Sequence, residues 1–215
     1  MIEQRVRRYY QIMFVDAVAV GLKKRIKPNT ITLMSGLFGV LVIPAMLFNQ
    51  VMLAIGLLLT SGYCDTLDGT LARFTNNTTK WGSLLDITTD RLVEFSVVMA
   101  LWLVDPTHRA LWCFFMLGSM LMCITSFLVV GIFSENFSQK SFHYSPGIME
   151  RSEAFFFFIL MMLWPQAFSF LALLFTILVT LTAVIRLMQF RTQQMIAVAN
   201  NHDLEVTRLE QDGQS

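Results

Sequence analysis

Four aspartates, Asp65, Asp68, Asp86 and Asp90, stand within residues 62–94, a stretch otherwise apolar enough to lie in a membrane. A carboxylate at the centre of a membrane helix costs about 2.5–3.5 kcal/mol on the insertion scale, so an intramembrane acid marks a functional site. Four together ask for a cation. Asp65, Gly69 and Ala72 recur at i, i+4, i+7 and share one helix face, with Asp68 near its edge. Gly82, Asp86 and Asp90 form an i, i+4, i+8 stripe on the next helix. The polar link between the helices is short, which predicts antiparallel neighbours. Asp68 then lies about 9 Å above Phe74, and Asp86 about 9 Å above Lys80, so all four carboxylates can converge. Oxygen ligands without Cys or His suit a hard cation such as Mg²⁺, Mn²⁺ or Ca²⁺. A lone aspartate near a helix end is ordinarily a cap or a snorkelling surface group. That reading does not account for the joint pattern.

The elements that position these residues are helices. The 215 residues are 55% apolar and only 14% charged, with a mean hydropathy of +0.58, an integral membrane composition. Residues 1–22 carry Arg5, Arg7 and Arg8 without a continuous apolar core, so no signal peptide is expected. Ile2, Val6, Tyr9, Met13 and Ala17 recur at helical spacing there, which predicts an amphipathic helix in the membrane interface. The alternative is a helix packed on the rest of the protein. The basic cluster Lys23, Lys24, Arg25 and Lys27 suits anionic headgroups. Pro28, Asn29 and Thr30 mark a helix start, with Asn29 or Thr30 as cap.

Six spans follow, at about 30–48, 51–74, 82–104, 110–133, 146–164 and 167–190. Asn49–Gln50, residues 105–109 and residues 164–166 form turns. His108 is expected at the surface. Ser145–Pro146 starts the fifth helix, placing Glu150, Arg151 and Glu153 one to two turns inside it. The run 155–158, all Phe, reads as lipid- or partner-facing bulk. Residues 192–215 read as a frayed helix and disordered tail. The fold class is therefore all-α: an integral membrane six-helix bundle with an N-terminal interfacial helix. Its divisions are residues 1–27, 28–191 and 192–215. Cys64, Cys113 and Cys123 fit no disulfide or zinc pattern and read as packing thiols. Six spans put both termini on one side with Arg73, Lys80, Lys140, Arg151, Arg186 and Arg191, while the other side has Arg109. The positive-inside rule places the termini and the aspartates at the cytoplasmic face.

The spacing D-x2-D-G-x2-A-R-x8-G-x3-D-x3-D is filled by Asp65, Asp68, Gly69, Ala72, Arg73, Gly82, Asp86 and Asp90. It resembles the signature of the CDP-alcohol phosphotransferase family, with every fixed position matched and the resemblance extending over most of the chain. The resemblance implies a CDP-linked lipid substrate, usually CDP-diacylglycerol, whose β-phosphorus is attacked by an acceptor hydroxyl with release of CMP. It implies Asp65, Asp68 and Asp86 as the main ligands of Mg²⁺ or Mn²⁺, as two ions, and Asp90 as general base, also near the second metal. Asp68, Gly69, Ala72, Arg73 and Gly82 would border the cytidine diphosphate. The opening of the first span resembles the family's PN-x-x-T and adds Asn29 and Thr32. A homodimer is implied as well; nucleic acid is not an expected partner.

The residues after Gly82, LDITTDR, are similar to the inositol and inositol-phosphate branch, where Arg rather than Lys follows the last aspartate, as Arg91 does here. GIMERSE at 147–153 resembles a segment of inositol-phosphate-type members. Arg151, Arg191, Arg186 and Lys140 would form a cationic cup for a phosphorylated acceptor. Positive-inside anchoring would account for the same residues. Glycerol 3-phosphate, serine or another alcohol are the alternative acceptors. A cation-coupled transporter is the reading from another class; six short spans without internal repeats or paired broken helices count against it.

Overall fold

The computed structural model describes residues 15–22, 26–76, 78–135, 149 and 151–212, with side chains for all of these except 134–135 and 196–212. Regular structure among the described residues is helical: α1 (Ala17–Leu22), α2 (Pro28–Leu47), α3 (Val51–Phe74), α4 (Lys80–Val104), α5 (Pro106–Glu135), α6 (Arg151–Leu163), a 3₁₀ turn (Pro165–Ala167) and α7 (Phe168–Asp212). Four segments are long and apolar enough to cross a membrane: Pro28–Leu47, Val51–Phe74, Pro106–Phe133 and Pro165–Met195. The protein is an all-helical integral membrane protein. α4 is not among the four because Asp86, Asp90, Arg91 and Glu94 crowd its first half, and α6 is described for only 13 residues.

The chain divides into two compact units, Met1–Cys113 with Phe155–Ser169, and Phe114–Ala154 with Phe170–Ser215. In the first unit α2 packs against both motif helices, α3 and α4. Small residues allow this. A Cβ on Gly36 would lie 2.9 Å from Thr89 Cγ2, and one on Gly39 would lie 2.5 Å from Val93 Cγ2. On the α3 side Ser35 Oγ donates to the Ser61 carbonyl at 2.9 Å and sits 3.1 Å from Ser61 Oγ. Close backbone approach plus hydroxyl bridges is how helices associate where lipid removes most of the hydrophobic drive. The outward faces keep large apolar residues exposed, among them Leu33, Leu37, Met52, Leu53 and Leu59.

Only the last part of the expected interfacial helix falls among the described residues. There Val15 and Ala19 are fully buried against Ile31, Cys64, Leu67 and Leu71, so this end packs on the protein. Residues 1–14 and the Lys23, Lys24, Arg25 cluster lie outside the described residues, as do Lys140 and Ser145–Pro146.

Several expected boundaries are corrected. Neither Asn29 nor Thr30 caps α2: Lys27 holds the cap position in extended conformation, and Pro28 begins the helix, where its missing N–H costs nothing. α4 begins at Lys80 because the Thr79 hydroxyl accepts from Gly82 N–H at 3.0 Å. Residues 106–109 are helix rather than turn. Asp105 Oδ1 accepts from His108 N–H at 3.3 Å, and Pro106 occupies the first helical position. His108 is exposed as expected. Arg109, read as a turn residue, is buried: its Nη1 donates to the Leu101 carbonyl at 3.0 Å and its guanidinium lies 4.5 Å over Phe168.

Arg151 is the first residue of α6, not a residue one to two turns inside it. Met149 lies in a bend, its N–H given to the Thr182 hydroxyl at 3.0 Å instead of a helical ladder. Phe155 and Phe158 are buried and only Phe156 of that run is strongly exposed; Phe155 packs over Gly62. α7 continues as one helix to Asp212. No Gly or Pro interrupts residues 168–212, and Gln, Met, Ala, Leu and Glu keep helical propensity after the apolar run ends. The three cysteines are free thiols, Cys64 and Cys113 buried.

Candidate metal centre and cavity

α3 turns Asp65 and Asp68 toward the position that α4 gives Asp86. One carboxylate oxygen from each lies within 4.8 Å of the others. Asp68 is only 5% exposed, and its buried Oδ2 has no hydrogen-bond partner among the described residues. A buried carboxylate left this way is strongly unfavourable unless a cation completes it. Three hard oxygen donors at this separation, with one orphaned lone-pair set, fit a divalent ion with oxygen preference. Asp90 lies one turn beyond Asp86 on α4, half-buried and outside this three-residue group.

A cavity of about 200 Å³ opens beside the carboxylates. Pro28, Asn29 and Thr32 of α2 form one wall, Asp68, Gly69, Ala72 and Arg73 of α3 another, and Thr78, Thr79, Gly82, Ser83 and Asp86 the third. Thr32 is buried and its hydroxyl donates to the Pro28 carbonyl at 3.3 Å. Gly82 is closely approached: a Cβ there would lie 3.2 Å from Thr79 Oγ1 and 3.3 Å from Asn29 Oδ1. Gly69 has room, its nearest neighbour being Arg73 Nη1 at 3.9 Å from a built Cβ, so the missing side chain leaves cavity space. Arg73 Nη2 donates to Thr70 Oγ1 at 3.0 Å, which folds the exposed guanidinium back along α3 at the cavity edge. Carboxylates at one end and a guanidinium at the other suit a ligand carrying phosphate and bound cation together.

The other expected cations belong to the second unit. Arg151 is half-buried at the start of α6, and Arg191 is exposed on α7. Arg186 is engaged structurally: its Nη1 donates to the Cys123 carbonyl at 3.1 Å and its guanidinium lies 5.1 Å from the Phe127 ring centre. Five helical residues separate Arg186 from Arg191, about 140° around the axis, so α7 does not aim both in one direction.

Sequence reading passed over three features. Gly36 and Gly39 set the approach of α2 to α4. Glu94, buried at 5% exposure, pairs with Arg91, the residue after the last motif aspartate. A lone acid three residues past an arginine in an apolar run was the available signal. Thr182 accepts from Met149 N–H just ahead of α6; nothing in the sequence points to it.

The model of the CDP-alcohol phosphatidyltransferase family matches residues 25–190. The chain is 28% identical over 193 residues to Inner membrane protein YnjF of Escherichia coli (strain K12), spanning 86% of this chain and 93% of that protein. An uncharacterized protein of Aquifex aeolicus (strain VF5) is 37% identical over 95 residues, 44% of this chain and 48% of that one. Two crystal structures of Mycobacterium tuberculosis phosphatidylinositol phosphate synthase (PgsA1) share the fold. The one with CDP-DAG bound gives a TM-score of 0.60 at 20% identity, covering 82% of this chain and 93% of that one. The one in complex with manganese and citrate gives 0.61 at 21% identity, covering 83% and 90%. The chain therefore belongs to the CDP-alcohol phosphatidyltransferase family and is a membrane enzyme of phospholipid synthesis by phosphatidyl transfer, not the cation-coupled transporter that four membrane aspartates alone would also allow.

Proposed function

We propose that the enzyme transfers the phosphatidyl group of CDP-diacylglycerol to inositol or inositol phosphate, releasing CMP, in a reaction that depends on Mg²⁺ or Mn²⁺. The observation that carries the metal dependence is the meeting of Asp65, Asp68 and Asp86 around a buried, unsatisfied Asp68 oxygen. The relative's structure with manganese adds support. Asp65, Asp68 and Asp86 hold the metal, with Asp90 reaching a second ion. When bound, two divalent ions neutralise the diphosphate and polarise the β-phosphorus. Gly69, Ala72 and Gly82 leave the cavity open for the cytidine diphosphate, Arg73 meets its phosphate, and Asn29 and Thr32 close the α2 side. Asp90 takes the proton from the acceptor hydroxyl as that oxygen attacks and CMP departs.

The inositol-type acceptor rests on Arg91 and on Arg151 and Arg191, with Lys140 as a further member; Arg186, already held by Cys123 and Phe127, is not counted on for it. Arg151 begins α6, where the helix dipole also favours an anion. The relative with CDP-DAG bound is itself a phosphatidylinositol phosphate synthase, which favours the same branch. The layout we propose is a surface segment at 1–27, a six-span catalytic region at 28–191 in which α4 and α6 also cross the membrane, and a polar extension at 192–215. The termini and active site face the cytoplasm, and the enzyme is a homodimer.

The test is CMP release and lipid product mass from purified protein, CDP-diacylglycerol, Mg²⁺ or Mn²⁺, and inositol, inositol phosphate, glycerol 3-phosphate, serine or no acceptor. Release should require inositol or inositol phosphate, and Asp86→Asn should lower it at least a hundredfold. A product of phosphatidylglycerophosphate or phosphatidylserine overturns the acceptor. Full activity in Asp86→Asn overturns the metal site.

A further inference from the structure

Thr182 lies in the apolar part of α7, only 1% exposed, and its hydroxyl is used twice. It donates to the Leu178 carbonyl at 2.9 Å and accepts from Met149 N–H at 3.0 Å. The first bond is the usual way a threonine satisfies itself inside a helix. The second reaches 33 residues back along the chain. Met149, Val179 and Ala183 are buried around it, so water is not available to replace the bond. Two residues beyond Met149 stands Arg151, where α6 begins. Two peptide links span at most about 7 Å. The tether thus acts directly on where the helix starts and where its first side chain is carried.

We propose that Thr182 is a positioning residue: by holding Met149 it fixes the start of α6 and so the placement of Arg151 toward the phosphate of the acceptor. This rests on the reading of Arg151 as an acceptor-binding side chain. Thr182 itself does not touch substrate. Its hydroxyl provides the acceptor that a methyl group cannot, so the bond and not the volume of the side chain matters. Loss of one neutral hydrogen bond shifts an equilibrium by roughly two- to tenfold. That is the size of change expected in the fraction of enzyme with Arg151 correctly placed.

The experiment compares wild type with Thr182→Val, Thr182→Ala and Thr182→Ser, alone and combined with Arg151→Gln. Inositol phosphate and glycerol 3-phosphate are titrated in parallel at saturating CDP-diacylglycerol. The two apolar variants should raise KM for the phosphorylated acceptor about two- to tenfold, with KM for CDP-diacylglycerol unchanged and kcat nearly so. Thr182→Ser should restore the wild-type value. In the Arg151→Gln background the Thr182 substitutions should add nothing further to that KM. Two apolar variants are used so that failure of one to fold leaves the other. An acceptor KM unmoved by either folded apolar variant, while Arg151→Gln raises it, overturns the positioning role alone. So does a loss that is equal for both substrates, or one that adds in full to Arg151→Gln. An Arg151→Gln enzyme with unchanged acceptor KM, or a wild type that uses neither phosphorylated acceptor, overturns the reading of Arg151 as the side chain that meets the acceptor phosphate, and this inference with it.

Discussion

Replacing Gly39 by alanine tests whether the approach of α2 to α4 sets the active-site geometry. The added Cβ would stand 2.5 Å from Val93 Cγ2 and 2.9 Å from both Val93 Cβ and Cγ1. Ordinary contact starts near 3.4 Å, so the helices must part by 3.4 − 2.5 = 0.9 Å. Rotating Val93 does not remove the conflict, because its Cβ, fixed to the backbone, remains at 2.9 Å. Val93 is fully buried and has no space to retreat into. Overpacking of this kind costs about 1–3 kcal/mol, a fall of roughly 2–12 °C in the thermal midpoint for a chain of this length. The functional loss should be larger. α2 carries Asn29 and Thr32 and α4 carries Asp86, so both sides of the cavity move, and about 1 Å of misplacement costs on the order of a hundredfold in rate. The assay is thermal unfolding in detergent beside CMP release, with Gly56→Ala as control because nothing lies within 4 Å of a Cβ there. Adding Val93→Ala leaves a closest contact of 2.9 Å and a required shift of 3.4 − 2.9 = 0.5 Å. Close to half of the defect caused by overpacking should therefore be recovered. If Gly39→Ala matches Gly56→Ala in both assays, or if Val93→Ala simply adds its own loss, the packing argument is wrong.

Thr79→Ala removes the cap on α4 and one cavity wall side chain; it should cost about 1 kcal/mol of stability and raise KM for CDP-diacylglycerol, while Thr79→Ser keeps both near wild type. The hydrogen bonds from His108, side chain first and backbone second, hold Asp105 below its ordinary value of 3.8. A carboxylate depressed in the folded state contributes stability that is present above its unfolded value and lost as pH falls through the folded one. The thermal-midpoint difference between wild type and Asp105→Ala should therefore hold near neutral pH and shrink below about pH 4. A difference that stays constant down to pH 3 counts against the pair.

The candidate site was legible because its chemistry is expensive in a membrane and its spacing is helical. Asp65, Asp68 and Asp86 are costly in apolar helices, a cost that a shared cation would offset, and the 3.6-residue period alone brings two of them onto one side of α3. Gly69 and Ala72 were legible as space beside acids. The helix that mediates between the acids was not. α2 was read for Asn29 and Thr32, yet its larger contribution is Gly36 and Gly39. A glycine reports the closeness of a neighbour only once that neighbour is known.

The ends of elements failed for a related reason. Asp105 and Thr79 are caps whose role depends on which backbone N–H lies within reach, a matter of one or two residues that apolar periodicity does not resolve. α6 shows the limit most clearly. Ser145–Pro146 carries a valid local start signal but lies outside the described residues; what is described is Met149 in a bend, its N–H bonded to Thr182 from another helix, and a helix from Arg151 onward. Local chemistry at residues 145–146 gives no hint of a buried hydroxyl 33 residues away that takes the Met149 N–H. The difference bears on function here. It moves a guanidinium from a helix interior, where an ion pair with its neighbours would suffice to explain it, to the start of the described helix, where under the proposed acceptor reading it and the helix dipole would favour the same anion.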